Sequence, residues 1–114
     1  PRRALELVKT LEEHSEIYPT VEAIRTIGEL GETLEHPDSI PGDPVKQTYL
    51  AAIQDLARGD FDGALQKFID VIRNNRYYQD DGSRKACIAI FRVLGDDHEL
   101  TLKYRRDFSG ALYR

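Results

Sequence analysis

The amino-acid sequence predicts an all-α protein built from antiparallel helix pairs. Apolar residues recur every three or four positions along most of the 114 residues, which is the spacing of one helical face. β-Branched residues are scattered, and no run alternates apolar and polar side chains for long enough to indicate a strand. The Gly-Asp pairs at 59–60 and 95–96 separate neighbouring helical patterns by almost no chain, so these helices must fold back on each other.

Six helices are predicted, over residues 2–15, 19–35, 44–58, 61–75, 81–94 and 97–112. The first two each have one apolar face, formed by Ala4, Leu7, Val8 and Leu11 in one helix and by Val21, Ile24, Ile27 and Leu34 in the other. Gly28 and Gly31 lie on the apolar face of the second helix. Because glycine inside a helix costs up to about 1 kcal/mol relative to alanine, they indicate either a close neighbouring helix or a helix weakened in its middle.

Turn residues define the third and fourth helices. The loop His36–Val45 contains three prolines and a glycine and ends where Asp43 can cap the third helix. Pro44 then takes the first helical position, where a backbone N–H is not needed. Gly59 can adopt the left-handed conformation that ends a helix, and Asp60 can accept hydrogen bonds from the first free N–H groups of the fourth helix.

The last two helices are separated in the same way. The acid pair at 80–81 marks the start of the fifth helix, and Gly95 marks its end. Asp96 or Asp97 is expected to cap the sixth helix, with Glu99 placed to complete a capping box from Asp96. The apolar spacing predicts core positions at Leu65, Phe68, Ile69, Phe91, Leu94 and Tyr104.

The two Gly-Asp pairs are 36 residues apart, close to the period of about 34 residues of tetratricopeptide repeats. The sequence around the first pair resembles that repeat, because Ala64 occupies its small position in the second helix and Phe68 the large position that follows. Asp55 stands where the repeat normally has an aromatic residue, and the last helix pair matches less well. The resemblance implies a short, degenerate tetratricopeptide-like array of about six helices, with a plain helical bundle as the alternative.

A second set of features lies between Asp80 and Tyr113, at Asp81-Gly82, Arg84-Lys85, Phe91, Leu94-Gly95, Tyr104-Arg105-Arg106 and Leu112-Tyr113. This combination resembles the closing segment of the tetratricopeptide-like region in YbbN-type thioredoxin-like proteins, the chaperedoxin family of co-chaperones. In that family a thioredoxin-like domain precedes the repeats. The resemblance therefore implies that residues 1–114 form a single helical domain at the C-terminal end of a longer protein. It also implies a protein-binding module for unfolded clients, chaperones or a chaperonin.

A structural module that self-associates is the alternative function. Ala4, Leu5, Val8 and Leu11 resemble the second helix of an earlier repeat whose first helix is missing. Apolar surface on this incomplete repeat would then be covered by a second copy of the chain, giving a homodimer. A thioredoxin-like domain upstream of Pro1 would favour the co-chaperone module instead.

Composition and charge narrow the function classes. The formal net charge of −4 and the lack of a basic stripe argue against a nucleic-acid partner, although residues 80–114 are mildly basic. No apolar run is long enough to span a bilayer, and the charged residues that follow Pro1-Arg2-Arg3 are not a secretory signal. We therefore expect a cytoplasmic protein without a membrane partner.

Residues with catalytic or metal-binding chemistry are few and scattered. Cys87 is the single cysteine, so it forms no internal disulfide, and its apolar surroundings predict a buried small residue. His14, His36 and His98 share no ligand spacing. The expectation is a chain that is not an enzyme, with no catalytic residue, no cofactor and no metal.

Two surfaces are predicted to bind protein. In helix-repeat arrays the first helix of each pair lines the concave face. The third predicted helix is such a first helix, and its residues on that face would be Lys46, Tyr49, Ile53 and Leu56. The last helix has no later helix to cover its outer face. The second predicted binding surface is therefore on this helix, at Tyr104, Arg105, Arg106 and Tyr113. Arg84 and Lys85 are expected near Arg105 and Arg106, where the four cations either bond nearby acids and helix carbonyls or form a patch for an acidic partner.

Overall fold

The computed structural model describes residues 18–113, and these residues form five α-helices and no strand. The helices are α1 (Tyr18–Glu35), α2 (Lys46–Ala57), α3 (Phe61–Asn75), α4 (Tyr78–Leu94) and α5 (Glu99–Leu112), with a short 3-10 helix at Pro37–Ser39. The all-α prediction is confirmed, and the helix limits differ from the predicted ones by at most three residues. The helix predicted over residues 2–15 lies outside the described residues.

The helices surround one core. α2 and α3 form an antiparallel hairpin, α4 packs against both α1 and α3, and α5 lies mainly on α3. Five of the predicted core residues are buried, namely Leu65, Phe68, Ile69, Phe91 and Tyr104. The sixth, Leu94, is only half-buried because it is the last residue of α4, where the chain leaves the core.

The turn between α2 and α3 has the predicted geometry. Gly59 has a φ of +80°, and the Asp60 carboxylate accepts a hydrogen bond from the Gly63 N–H at 2.9 Å. The Asp60 N–H in turn donates to the backbone oxygen of Asp55 at 2.8 Å. Ala64 is fully buried in the hairpin, as the small position of the repeat requires.

Asp55 is a buried carboxylate at this turn. Its two carboxylate oxygens form ion pairs with Arg58 and Lys67, whose side chains remain partly in water. A Cβ atom on residue 63 would lie 2.6 Å from the Asp55 carboxylate, so Gly63 provides the space that the buried acid needs. The α2–α3 hairpin is therefore joined by a polar contact at the position where the repeat normally has an aromatic residue.

The start of α2 differs from the prediction. Asp43 does not cap the helix directly. Its carboxylate accepts a hydrogen bond from the Val45 N–H at 3.0 Å, and its backbone oxygen accepts one from the Lys46 N–H at 2.9 Å. This turn occupies Pro44 and Val45, so α2 begins at Lys46 and not at Pro44.

The start of α4 is left-handed. Gln79, Asp80 and Asp81 have φ values of +58°, +55° and +66°, so right-handed helix begins only at Gly82. Neither acid caps the helix as expected, because the Asp80 carboxylate pairs with Lys85 and the Asp81 carboxylate with Arg84.

The start of α5 was also predicted incorrectly. Gly95 ends α4 with a φ of +97°, and Asp96 and Asp97 lie inside the turn that follows, which the His98 N–H closes by donating to the Gly95 backbone oxygen at 3.2 Å. The cap is His98, whose Nδ1 accepts a hydrogen bond from the Leu100 N–H at 3.0 Å. Asp96 instead pairs with Arg105 at 3.0 Å, and the capping box with Glu99 does not form.

α5 is attached to α3 by a buried tyrosine. The Tyr104 hydroxyl donates to the Asp62 carboxylate at 2.5 Å and accepts from the Gln66 amide at 2.9 Å. Lys103 adds a longer contact to Asp62 at 3.3 Å. These hydrogen bonds, first from Tyr104 and then from Lys103, hold the pKa of the Asp62 carboxyl below its usual value.

Ala64→Leu is expected to destabilise the protein by about 1–3 kcal/mol, because added methylene groups in a filled helix interface force side chains and backbone apart. Chemical denaturation followed by circular dichroism measures this change. Ala57→Leu, at an exposed position on α2, is the matched control and should change the free energy of unfolding by less than about 0.5 kcal/mol. Equal effects of the two variants would contradict close packing at Ala64.

Asp55→Ala is expected to cost about 1–3 kcal/mol, because two charge-assisted hydrogen bonds are lost, one from Lys67 across the hairpin and one from Arg58 at the end of α2. Gly63→Ala should also destabilise the protein, and it should cost less in the Asp55→Ala background, where one of the two obstructing carboxylates is gone and only that of Asp60, also 2.6 Å from a Cβ atom at residue 63, remains. A double-mutant cycle of urea denaturation measures this coupling. Strictly additive effects would show that Gly63 does not make room for Asp55.

Tyr104→Phe is expected to raise the pKa of the Asp62 carboxyl towards the unfolded value of about 3.9, because the largest cause of its lowering is removed. A lowered pKa in the folded state gives stability that is present above the unfolded pKa and is lost as the pH falls through the folded pKa. Carbon-13 NMR titration of the side-chain carboxyl measures the shift, with Tyr113→Phe on the exposed end of α5 as the control. An unchanged Asp62 pKa would mean that Lys103 provides the stabilisation.

Candidate protein-binding site

The residues predicted to line a groove on α2 lie mostly in the core. Tyr49 and Ile53 are 3% and 1% exposed and Leu56 is buried, so their side chains do not face an open groove. Lys46 is half-buried, and its ammonium donates to the Ile40 backbone oxygen at 3.3 Å. The expectation that these four residues form an accessible surface is therefore corrected.

The physical reason is that α3 packs closely on this face of α2, and the start of α4 covers Tyr49. The Tyr49 ring packs edge-to-face on Phe68 of α3 at 5.8 Å and on Tyr78 of α4 at 5.5 Å. Gly82 admits the Tyr49 hydroxyl, because a Cβ atom there would lie 2.6 Å from that oxygen. Burial raises the pKa of Tyr49 to about 12, in keeping with a hydroxyl enclosed by the fold.

The residues predicted on the last helix divide into two groups. Tyr104 faces α3 and is buried, so it is a structural residue of the α3–α5 contact. Arg105 and Arg106 are exposed on α5, and Tyr113, just after its end, is 85% exposed. Their role in binding stays a prediction.

The basic residues at the start of α4 bond to acids close to them in sequence. Arg84 pairs with Asp81, and Lys85 pairs with Asp80 at 3.2 Å. α4 and α5 also make few contacts with each other, because α5 packs mainly on α3. This arrangement agrees with the interpretation in which Arg84 and Lys85 stabilise the turn before their own helix.

A cleft of about 480 Å³ opens where α4 and α5 diverge. Phe91 and Phe108 meet edge-to-face at 5.5 Å in its floor, and the half-buried Ile88 extends the apolar surface. Arg92 and Arg105 stand on the rim, with the Arg105 guanidinium 5.6 Å from the centre of the Phe91 ring. The α4–α5 cleft thus combines an apolar floor with a cationic edge.

A smaller cleft of about 140 Å³ adjoins it between α1 and α4. Ile88 and Arg92 line both clefts, and Lys85 lies at the far end of the smaller one. Asp96 offsets the charge of Arg105, whereas Arg92 forms no ion pair within residues 18–113. Arg92 is therefore the cation in this region that is most available to an incoming carboxylate.

A third cleft, of about 350 Å³, lies between α2, α3 and α5 and has a different character. Its charges are balanced, with Lys67 and Arg73 against Asp70 and Asp107, and Lys67 is already paired with Asp55. Its lining offers little apolar surface beyond Ile69. It is less suited to hold an apolar side chain than the α4–α5 cleft.

Sequence reasoning missed Ile88, Arg92 and Phe108 as surface residues of interest. The available signal was the spacing of Lys85, Ile88 and Arg92, which places a cation, an apolar residue and a second cation along one line of a helix. These three residues of α4 stay uncovered only because α5 packs on α3 and not on them. The helical spacing in the sequence does not reveal where α5 packs.

Other reactive groups do not add to the site. Cys87 is fully buried in α4, and burial raises the pKa of its thiol. His98 serves as the α5 cap, and His36 lies in an exposed loop, while His14 is outside the described residues. Within residues 18–113, no three His, Cys, Asp or Glu side chains group as a metal site, and none of the helices is long and apolar enough to cross a membrane.

Comparison with known proteins agrees with this geometry. No curated protein and no solved structure gave a match. The family model described as Tetratricopeptide repeat matches residues 27–113, which is most of the chain and includes all of α2 to α5. Proteins of this kind stack helix pairs and generally mediate protein–protein interactions. The chain therefore belongs to the tetratricopeptide repeat family.

Proposed function

We propose that this chain is the non-catalytic interaction module of a cytoplasmic, thioredoxin-like co-chaperone of the YbbN type, binding unfolded clients or chaperone partners such as a chaperonin. Membership of a family of protein-binding repeats supports the general role. The resemblance of residues 80–113 to chaperedoxins supports the co-chaperone role and a thioredoxin-like domain before residue 1. The observation that carries the proposal is the open α4–α5 cleft with its apolar floor and with Arg92, which forms no ion pair within residues 18–113.

The cleft suits a short segment of another protein. Its volume accommodates one or two apolar side chains, which would cover Ile88, Phe91 and Phe108. A carboxylate next to the apolar side chain could form a bidentate pair with the Arg92 guanidinium. Segments that combine apolar and acidic residues are therefore the favoured ligands.

The expected affinity is modest. Phe91 and Phe108 are only 4% and 8% exposed, so a ligand in the cleft buries little apolar surface beyond Ile88. At roughly 25 cal/mol per square ångström this burial is worth at most a few kcal/mol before association costs are subtracted. Dissociation constants in the micromolar range or weaker follow. Such affinities suit a module that holds many clients briefly.

The alternative function, self-association, has its own supporting observation. Leu102 is 66% and Tyr113 85% exposed, and together with Arg106 they lie on one stripe of α5 at helical spacing. Two such stripes could pack side by side in a homodimer. The α4–α5 cleft remains the better-supported site because it is concave and can enclose an apolar side chain.

Arg92→Glu is expected to weaken binding of an unfolded client about tenfold, because a charge-assisted hydrogen bond is replaced by like-charge repulsion. Reduced α-lactalbumin and a purified chaperonin serve as probes, with affinity measured by biolayer interferometry and client aggregation followed by light scattering. Arg73→Glu, an exposed arginine on the third cleft, is the matched control and should leave both signals unchanged.

Three outcomes separate the alternatives. Equal effects of Arg92→Glu and Arg73→Glu would contradict the α4–α5 cleft as the binding site. No binding of either probe by the unsubstituted chain would contradict the co-chaperone role. A dimer that is lost in Leu102→Ser, with no client binding, would favour self-association through α5.

A further inference from the structure

The connection between α3 and α4 has an unusual backbone. Only Arg76 and Tyr77 separate the two helices, and Arg76 still has right-handed helical angles, with a φ of −52° and a ψ of −40°. The chain then reverses through Gln79, Asp80 and Asp81, all in the left-handed region. Non-glycine residues visit this region singly and at a cost, because Cβ approaches the following carbonyl oxygen. Three in succession form a strained turn.

The local sequence does not demand this turn. Residues 75–81 contain no glycine and no proline, so nothing in them prevents a right-handed helix from continuing. Contacts from elsewhere in the fold hold the reversal. The Tyr78 hydroxyl donates to the Pro41 backbone oxygen at 2.5 Å, and the Tyr78 ring packs on Tyr49.

We propose that residues 77–81 are a hinge through which two copies of the chain exchange their α4–α5 segments. In the open form the left-handed residues become right-handed, and α3 and α4 join into one helix from Phe61 to Leu94, about 50 Å long. α4 and α5 of each copy then pack on α1 and α3 of the other copy. The partner is a second copy of this chain, joined by a reciprocal domain swap.

The buried face of α4 explains why the open form requires a partner. Ala86, Cys87 and Ile90 are fully buried on the face of α4 that packs on the rest of the fold, and straightening the hinge would expose them to water. Only a surface with the same shape can cover them as well as the closed chain does, and a second copy provides that surface. The swapped dimer keeps the contacts of α4 and α5 and relieves the strain in two turns.

This inference is independent of the proposed function. The α4–α5 cleft lies within the exchanged segment and moves with it as a unit, so client binding neither requires nor excludes the swap. The swapped dimer also differs from side-by-side packing of two α5 stripes. The two subunits of a swapped dimer separate only when the helical core opens. Subunits therefore exchange slowly between dimers.

Asp80 offers a clean test, because its side chain is 99% exposed and pairs, within residues 18–113, with Lys85 alone. Asp80→Val and Asp80→Gly both remove that ion pair, so they differ only in backbone preference. A β-branched valine is disfavoured at a φ of +55°, whereas glycine accepts it. Glycine also weakens the continuous helix of the open form.

Each protein is unfolded, refolded at high concentration and analysed by size-exclusion chromatography with light scattering. Asp80→Val is expected to raise the dimer-to-monomer ratio about tenfold over the unsubstituted chain, and Asp80→Gly to lower it by a similar factor. Mixed nitrogen-14 and nitrogen-15 dimers, detected by native mass spectrometry, should form when the two labelled samples are refolded together. They should not form within hours of mixing folded dimers.

The proposal is overturned by equal dimer fractions in the two Asp80 variants or by the absence of dimer in all three proteins. It is also overturned by rapid isotope exchange between folded dimers, which would indicate surface association. Asp70→Gly and Asp70→Val, at an exposed acid within α3, control for general effects of these substitutions and should differ little in dimer fraction.

Discussion

The buried carboxylate of Asp55 is the contact on which the rest of the fold depends. It joins the end of α2 to the middle of α3 through Lys67, it pairs with Arg58 at its own end of α2, and it occupies space that Gly63 leaves free. A buried acid without partners would cost several kcal/mol, but here both cations reach it while keeping much of their own hydration. The hairpin that results presents Phe68 and Ala64 to the core, and α4 and α5 both pack on it. An acid in the aromatic position of the repeat is thus compatible with the fold, because a polar contact holds the turn that an aromatic ring usually fills.

Local rules predicted those features of the fold that depend on neighbouring residues. The limits of α3, the φ of Gly59, the Asp60 cap and the burial of Ala64 all follow from turn chemistry and helical spacing. The errors lie where distant contacts override local preference. Asp96 and Asp97 are stronger capping residues than His98, but both lie inside the hydrogen-bonded turn from Gly95 to His98, so the helix begins only after His98. Nothing in the sequence indicates that Gln79 to Asp81 adopt a left-handed turn. Because that turn aims α4 over Tyr49, the accessibility of α2 could not be predicted either.

The accessible apolar surface of the molecule lies at a different place from that in other helix-repeat proteins. In helix-repeat proteins the concave face formed by first helices usually remains open. In residues 18–113 the corresponding residues of α2 are covered, and the open apolar surface lies between α4 and α5 instead. This follows from α5 leaning on α3 through Tyr104 and leaving one side of α4 free. A degenerate repeat can therefore keep its helix pairs while changing which pair offers a surface.

The burial of Cys87 has a consequence for the thiol chemistry of this chain. A thiol attacks disulfides as its thiolate, and burial in α4 both raises the pKa of this thiol and shields the sulfur from bulky reagents. Mixed disulfides with a bound client are therefore not expected at this residue. In the proposed full-length co-chaperone, covalent capture would be confined to the thioredoxin-like domain. The helical module would hold and release its client by reversible contacts alone, whatever the oxidation state of its surroundings.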